Sequence, residues 1–531
     1  MSPLIDYVVF AGWIWIYVVA TVVTIFLLKC IYNLSPLHPL HTYPGPRLWR
    51  ASRIFASLHH ARGDLYQQIA RFHARHGPTV RIAPSELSFT DPAAWGTIYN
   101  SRPQLQKSKF HFGESGDRSK LPDSMIVATD SEHMRLRRLV SPAFLGSALM
   151  DVEPVLQRYS DLLCHTLETK RGQAVNMVEY FLWTLNDVIG QLALDTEFQC
   201  LEKERMHPWP SFLMKILKQT AFFNQLKRFG FSLKLLGPFL PKRVIEERDG
   251  FFSTAQNAVS ERLAREDVES EKWQGNTTVQ GSERPDIIGL MLREMKGRKG
   301  ADHQDKMTEP EILSNSILIV GGGAETTSTC LSATLYHLCR TPRVMGRLQE
   351  ELRGRFGSLE EITIKATADM AYLRATVDES LRIFPVASYI NPRVVGKGGV
   401  VLDGNVVPEG THVSMAQWYL GGSERFFDNP KEFRPERWLS ESDEGGLRGG
   451  AHHVEGTDRH MMDEVLKPFS LGPRNCIGKL LAIAEARLVT AKLLWKFDIE
   501  LDGPQDGWVD GARFYILWEL EPLMVKLKAV R

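Results

Sequence analysis

Charge of one sign is what this 531-residue chain has least of: 64 Lys and Arg stand against 63 Asp and Glu, a formal net charge of +1. Without a basic excess there is no uniform drive toward a phosphate backbone, which excludes a nucleic-acid role. Cysteine is scarce too. The six residues Cys30, Cys164, Cys200, Cys330, Cys339 and Cys476 are too scattered for a disulfide framework and fit a reducing compartment. No G-x-S-x-G, H-E-x-x-H or G-x-G-x-x-G pattern and no internal repeat occurs, so hydrolase, zinc-protease and own-nicotinamide readings lack support. What the chain does have is 43% hydrophobic and 24% charged residues, which rules out global disorder.

From Tyr7 to Leu28 runs an uncharged, mostly apolar stretch between Asp6 and Lys29, long enough at about 1.5 Å per helical residue to span a bilayer core of about 30 Å. A cleavable signal peptide would call for a basic start and a shorter apolar core, so the stretch reads as a membrane anchor. Lys29, Arg47, Arg50 and Arg53 on its C-terminal side place the body in the cytoplasm, where the sequon at Asn276 would stay unmodified. Ser35 to Pro46 reads SPLHPLHTYPGP, a stiff hinge that is neither helix nor central strand. The rest is expected to be mainly α with minor β, with strands such as Thr79 to Ile82 and Gly399 to Leu402 and loops over Arg265 to Thr308 and Ser440 to His460. The expected divisions are an anchor over 1–30, a hinge over 31–46 and one body over 47–531.

The segment Phe469-Ser470-Leu471-Gly472-Pro473-Arg474-Asn475-Cys476-Ile477-Gly478 precedes a helix expected over Lys479 to Trp495. A cysteine ahead of a helix N-terminus receives positive potential and N–H groups that favour thiolate, the form a metal binds. Gly472 and Gly478 allow tight backbone and close approach of a flat ligand, and Arg474 supplies a cation. An ordinary buried cysteine in a glycine turn is the plain alternative. A Walker loop fails on spacing and on Leu480, where Ser or Thr is needed.

The complete pattern F-x-x-G-x-R-x-C-x-G resembles the haem-binding signature of the cytochrome P-450 superfamily. The resemblance implies the fold of that superfamily, with iron protoporphyrin IX held by Cys476 as axial thiolate, Arg474 on a haem propionate, and Phe469 and Gly478 against the cofactor. Four further segments extend it. Gly321-Gly322-Gly323-Ala324-Glu325-Thr326-Thr327 interrupts an apolar helix expected over Glu311 to Thr341, where glycines cost about 1 kcal/mol each, and offers an acid beside a hydroxyl. It resembles the family's central-helix motif, which assigns Glu325 to proton delivery and Thr326 to stabilising bound dioxygen; close helix crossing is the alternative for the glycines alone. Glu379-Ser380-Leu381-Arg382 resembles E-x-x-R, with Arg437 in Pro435-Glu436-Arg437-Trp438 as the third member of a structural brace. His133 and Arg137, on one helical face, match the slots for propionate partners, with His133 standing where the family usually has Trp. Arg393 in Asn391-Pro392-Arg393 matches another propionate ligand.

The resemblance spans about Tyr43 to Lys528 and looks most like fungal members of secondary metabolism. It implies a monooxygenase that takes electrons from an NADPH-cytochrome reductase and hydroxylates or epoxidises a lipophilic small molecule, such as a terpenoid, polyketide or alkaloid intermediate, at the endoplasmic reticulum membrane. A haem-thiolate peroxygenase or isomerase, and a non-enzymatic haem sensor, are the alternatives; both leave the pair Glu325 and Thr326 unexplained. By the same resemblance, Phe110 to Val127, Val386 to Ile390 and Phe514 to Ile516 line the substrate pocket. Met206 to Arg243 has no acid but interleaves Lys215, Lys218, Lys227, Arg228, Lys234, Lys242 and Arg243 with aromatics, which suits either contact with membrane lipid or a lid over the pocket.

Overall fold

A computed structural model describes residues 3–108, 121–229, 242–273, 287–289, 306–388, 392–439 and 463–530. Its centre is the helix Glu309–Arg340, started by a reciprocal cap in which the Thr308 hydroxyl accepts from the Glu311 amide and the Glu311 carboxylate accepts from the Thr308 amide. This helix packs along Met177–Leu194 and against Lys479–Lys496, both rich in buried Leu, Val and Ala. A Cβ on Gly323 would lie 2.8 Å from Ile189 Cδ1, so this glycine permits the close crossing, whereas a Cβ on Gly322 would meet open space. The two readings of the glycine run therefore each hold, at different residues.

The β part sits to one side. Thr79–Ala83 pairs antiparallel with Glu86–Phe89, which runs parallel to His412–Met415, and Arg393–Val394 and Gln106–Lys107 complete that sheet. The expected strands over Thr79 to Ile82 and Gly399 to Leu402 occur as Thr79–Ala83 and Val400–Leu402. The helix Lys242–Trp273 takes up the first residues of the loop expected from Arg265, because Arg, Glu and Lys without Gly or Pro sustain a helix. Residues 274–286, 290–305 and 440–462, with the sequon at Asn276 and the expected loop Ser440 to His460, lie outside the described residues.

The N-terminal helix Pro3–Leu34 contains a 23-residue span, Gly12–Leu34, with mean hydropathy 2.3, a candidate membrane anchor whose apolar part is unburied while Asn33 near its end is buried. The proline-rich segment after it is clasped to the body. The buried Arg81 guanidinium donates to the carbonyls of Asn33 (3.0 Å), Leu40 (3.3 Å) and Pro84 (2.8 Å) and to His38 Nδ1 (3.1 Å), while Asn33 Nδ2 donates to Ala51 O at 2.8 Å. Prolines keep the segment from making its own helix, and its Leu40 carbonyl accepts from the guanidinium as well as from Tyr43 N at 3.3 Å.

Candidate active site

Inside the body lies a cavity of about 590 Å³, lined by Leu213, Ile216, Phe251, Ile317, Val386 and Phe514 among others and by the cysteine turn. Cys476, Arg474, Phe469, Gly478, Arg137, His133, Arg393 and Thr326 all line it, so residues spread over more than three hundred positions converge on one space. Of the expected pocket segments, Leu121, Ser124 to Val127, Val386, Ala387, Phe514 and Ile516 contribute, while residues 109–120 and 389–391 lie outside the described residues.

The cysteine turn is held by its own backbone: Cys476 N donates to Phe469 O at 2.9 Å and Asn475 N to Gly472 O at 3.0 Å. Gly472 has φ +74, and a Cβ there would lie 2.2 Å from Tyr99 O, so it serves the turn and faces away from the cavity. Gly478, beside which there is open space, is the glycine that leaves room for a flat ligand. Desolvation raises the Cys476 thiol pKa, and the Gly478 N–H, Arg137 and Lys479 pull it back toward thiolate.

Around the turn stands a wall of basic side chains. Arg137 donates to Asn475 O (2.6 Å) and Oδ1 (2.7 Å), and Arg474 donates to Asp130 Oδ1 from Nη2 at 2.9 Å. Sequence reading misses Lys107, which sits opposite Arg393 in the antiparallel register and also lines the cavity. Like charges directly opposite on paired strands repel. Burial, followed by Arg393, Arg474 and Arg137, pushes the Lys107 pKa well down, and burial lowers Arg393 to about 10. His133 is driven to about 3 by burial and then by Arg474, Lys107, Arg137 and Arg393, which makes it a neutral donor. Two buried donors, Arg474 Nη1 and Arg393 Nε, have no hydrogen-bond partner among the described residues.

A soft sulfur donor, unpartnered guanidinium nitrogens, and basic residues that repel one another across an apolar space fit one ligand type. It is an iron macrocycle bearing carboxylates. The stripe of the central helix facing this space includes Gly321, Gly322, Gly323, Thr326 and Thr327. The Thr326 hydroxyl donates to Gly322 O at 2.7 Å. Glu325 lies outside this lining stripe, and burial alone raises its pKa to about 7. A second acid was not legible: Glu485, on the helix after the cysteine, lines the cavity, accepts from Thr327 Oγ1 at 3.2 Å and is raised by burial to about 8.

The expected brace is present and buried. Arg382 donates to Glu379 from Nε (2.8 Å) and Nη2 (2.7 Å), Arg437 Nε donates to Glu379 Oε1 at 3.3 Å, and Trp438 Nε1 and Arg434 N, both at 2.9 Å, complete the carboxylate's shell.

The fold and the site together define a haem-thiolate protein with an acid–alcohol pair beside its cavity. The family model for cytochrome P-450 matches residues 44–526, and the chain belongs to that family. It is 34% identical to the averantin hydroxylase of Dothistroma septosporum, covering 96% of this chain and 92% of that one, and 34% identical to the monooxygenase astJ of Aspergillus oryzae, covering 94% of each. The monooxygenase tpeC of Talaromyces stipitatus is 33% identical over 96% of this chain and 94% of that one. Among solved structures, a cytochrome P-450DA haem domain shares the fold with a TM-score of 0.69 at 18% identity, covering 88% of this chain and 93% of that one. The chain is thus an oxidoreductase with haem on an axial cysteine, a monooxygenase of a biosynthetic intermediate of fungal secondary metabolism that works with a redox partner.

Proposed function

We propose that this monooxygenase hydroxylates or epoxidises a neutral, lipophilic, ring-bearing intermediate delivered from the endoplasmic reticulum membrane, with electrons from an NADPH-cytochrome reductase. The observation that carries the substrate reading is the cavity wall. Besides the basic residues it offers many aliphatic and aromatic side chains, with the hydroxyls of Ser124, Thr220 and Ser314 among its polar groups. Apolar walls exclude water and hold a carbon skeleton, and a few hydroxyls orient polar substituents.

The chemistry supplied by the bound haem is activation of dioxygen and insertion of one oxygen atom into a C–H or C=C bond. Cys476 would ligate the iron, and Arg474, Arg393, Arg137 and neutral His133 would hold the carboxylates, with Phe469 and Gly478 flanking the ring. Glu325, with its pKa near 7, can both release and recover a proton at working pH, and the Thr326 hydroxyl lines the cavity beside it. That balance supports proton delivery and speaks against chemistry that needs none. Glu379, Arg382 and Arg437 brace the fold.

The divisions would be an anchor over 1–30, a hinge over 31–46 and a catalytic domain over 47–531, with the body on the cytoplasmic side. The Arg81 clasp supports a rigid joint between anchor and body. Leu48, Ile54, Leu58, Phe222 and Phe229 are exposed apolar residues on elements that pack together near that joint, which supports lipid contact there. Trp209 and Leu213 are buried, so the first part of the basic-aromatic segment is lid, and Lys234, Phe231 and Phe239 lie outside the described residues.

The test is the carbon monoxide spectrum of the reduced protein: a strongly red-shifted Soret band is expected, and Cys476→Ser should abolish it. Thr326→Ala should keep that band while product formed per NADPH consumed falls several-fold. Unchanged coupling would remove Thr326 and Glu325 from proton delivery.

A further inference from the structure

Arg474 is held from behind. Its side chain is 1% exposed, and its Nε and Nη2 both donate to Asp130 Oδ1, at 3.2 and 2.9 Å, while Nη2 also donates to Ala128 O at 2.6 Å. The remaining nitrogen, Nη1, is buried with no hydrogen-bond partner among the described residues, and Arg474 lines the cavity. Asp130 opens the helix Asp130–Val140, whose N-terminal potential favours a carboxylate, and its second oxygen accepts from Gln106 Nε2 on the strand that also carries Lys107. One acid therefore joins the helix of His133 and Arg137, the strand of Lys107 and the cysteine turn. It forms an ion pair with Arg474, one member of the basic wall that Lys107, Arg137 and Arg393 complete.

We infer that Asp130 is a positioning residue of the haem site: it fixes the Arg474 guanidinium with its free edge toward a haem carboxylate and offsets the surplus positive charge of the wall. The inference rests on the reading of Arg474 as a carboxylate holder. The guanidinium groups of Arg137, Arg393 and Arg474 facing a dianionic ring leave an excess of positive charge, and such an excess favours the reduced, more negative state of the bound iron. Asp130 lowers that excess, so it holds the one-electron reduction potential of the holoenzyme down while it slows cofactor loss.

The experiment uses the full-length holoenzyme in lipid nanodiscs, with Asp130→Asn, Asp130→Glu, Arg474→Gln and the double variant Asp130→Asn/Arg474→Gln. Two readouts are taken: transfer of haem to excess apomyoglobin, and dye-mediated redox titration. Asp130→Asn should raise the potential and release haem about tenfold faster, the scale of one charge-assisted hydrogen bond. Asp130→Glu, which keeps the charge, should return the potential toward wild type, and the double variant should release haem no faster than Arg474→Gln alone. If Arg474→Gln changes neither readout, the reading of Arg474 itself is wrong. If Arg474→Gln speeds release while Asp130→Asn leaves both readouts at wild type, the inference about Asp130 is overturned. Additive effects of the two variants on haem release would overturn it as well, because a residue that holds the cofactor through Arg474 has nothing left to position once Arg474 is gone. A purely structural helix-start role would lower thermal stability without moving the potential.

Discussion

Two buried clusters of basic and acidic groups lie in this fold, and they are satisfied to opposite degrees. Around Glu379, Arg382 spends its nitrogens on the carboxylate and on the carbonyls of Gly421, Pro430 and Glu432, and the carboxylate is shared with Arg437, Trp438 and the Arg434 amide. Around Cys476, among the described residues, basic side chains outnumber acids, two guanidinium nitrogens have no acceptor, and Lys107 faces Arg393 across paired strands. A charge cluster closed on itself braces a chain. One left open is shaped for something that brings the missing charge.

The comparison can be broken most severely at the closed cluster. Glu379→Ala leaves Arg382 and Arg437 buried without their carboxylate, and loss of one partner of a buried ion pair costs about 3–5 kcal/mol. The urea midpoint should collapse, and a shift equivalent to less than about 1 kcal/mol would show that the brace is not structural. At the open cluster the same kind of change should act in the other direction. Arg393→Gln removes a cation that repels Lys107, so the haem-free chain should unfold no earlier than wild type, while the holoenzyme should lose haem about tenfold faster. A drop in the thermal midpoint of the haem-free chain would mean that this cluster, too, is closed.

The smallest effect sharpens the contrast between acids. Glu379 is surrounded by donors, whereas Glu485 has Thr327 and is raised from an ordinary carboxyl value of 4.5 to about 8. A folded-state pKa above the unfolded one means that the neutral form is favoured by folding, so stability is full below about 4.5 and declines as pH rises toward about 8. Glu485→Gln, which keeps an acceptor for Thr327 and cannot ionise, should narrow the gap between urea midpoints measured at pH 5 and pH 8. An unchanged gap would assign that pH dependence to other groups.

Much of this was legible along the chain because the signals are local. The run Tyr7 to Leu28, the capped apolar segment ending near Arg340, and the spacing of Glu379 to Arg382 each specify a backbone form or a side-chain pairing within a few residues. The cysteine turn is local as well, and its arginine and glycines announce a flat anionic ligand. Lys107, Asp130 and Glu485 carry no such signal: in the sequence they are one lysine, one helix-start aspartate and one glutamate in an Ala- and Leu-rich helix. The two glycines of the turn looked equivalent, and the packing of Tyr99 against Gly472 separates them.

By itself, then, the sequence determined the family with its haem on an axial cysteine, the apolar N-terminal helix and the mainly helical fold, because residue type and short spacing suffice for each. The tertiary structure alone decided which charges are closed and which are open, which acids stay neutral, and that the proline-rich segment is clasped by Arg81. The reason is physical. Desolvation and charge pairing depend on which groups share a water-free space, and here those groups come from strands and helices hundreds of residues apart, as Asp130 and Arg474 do.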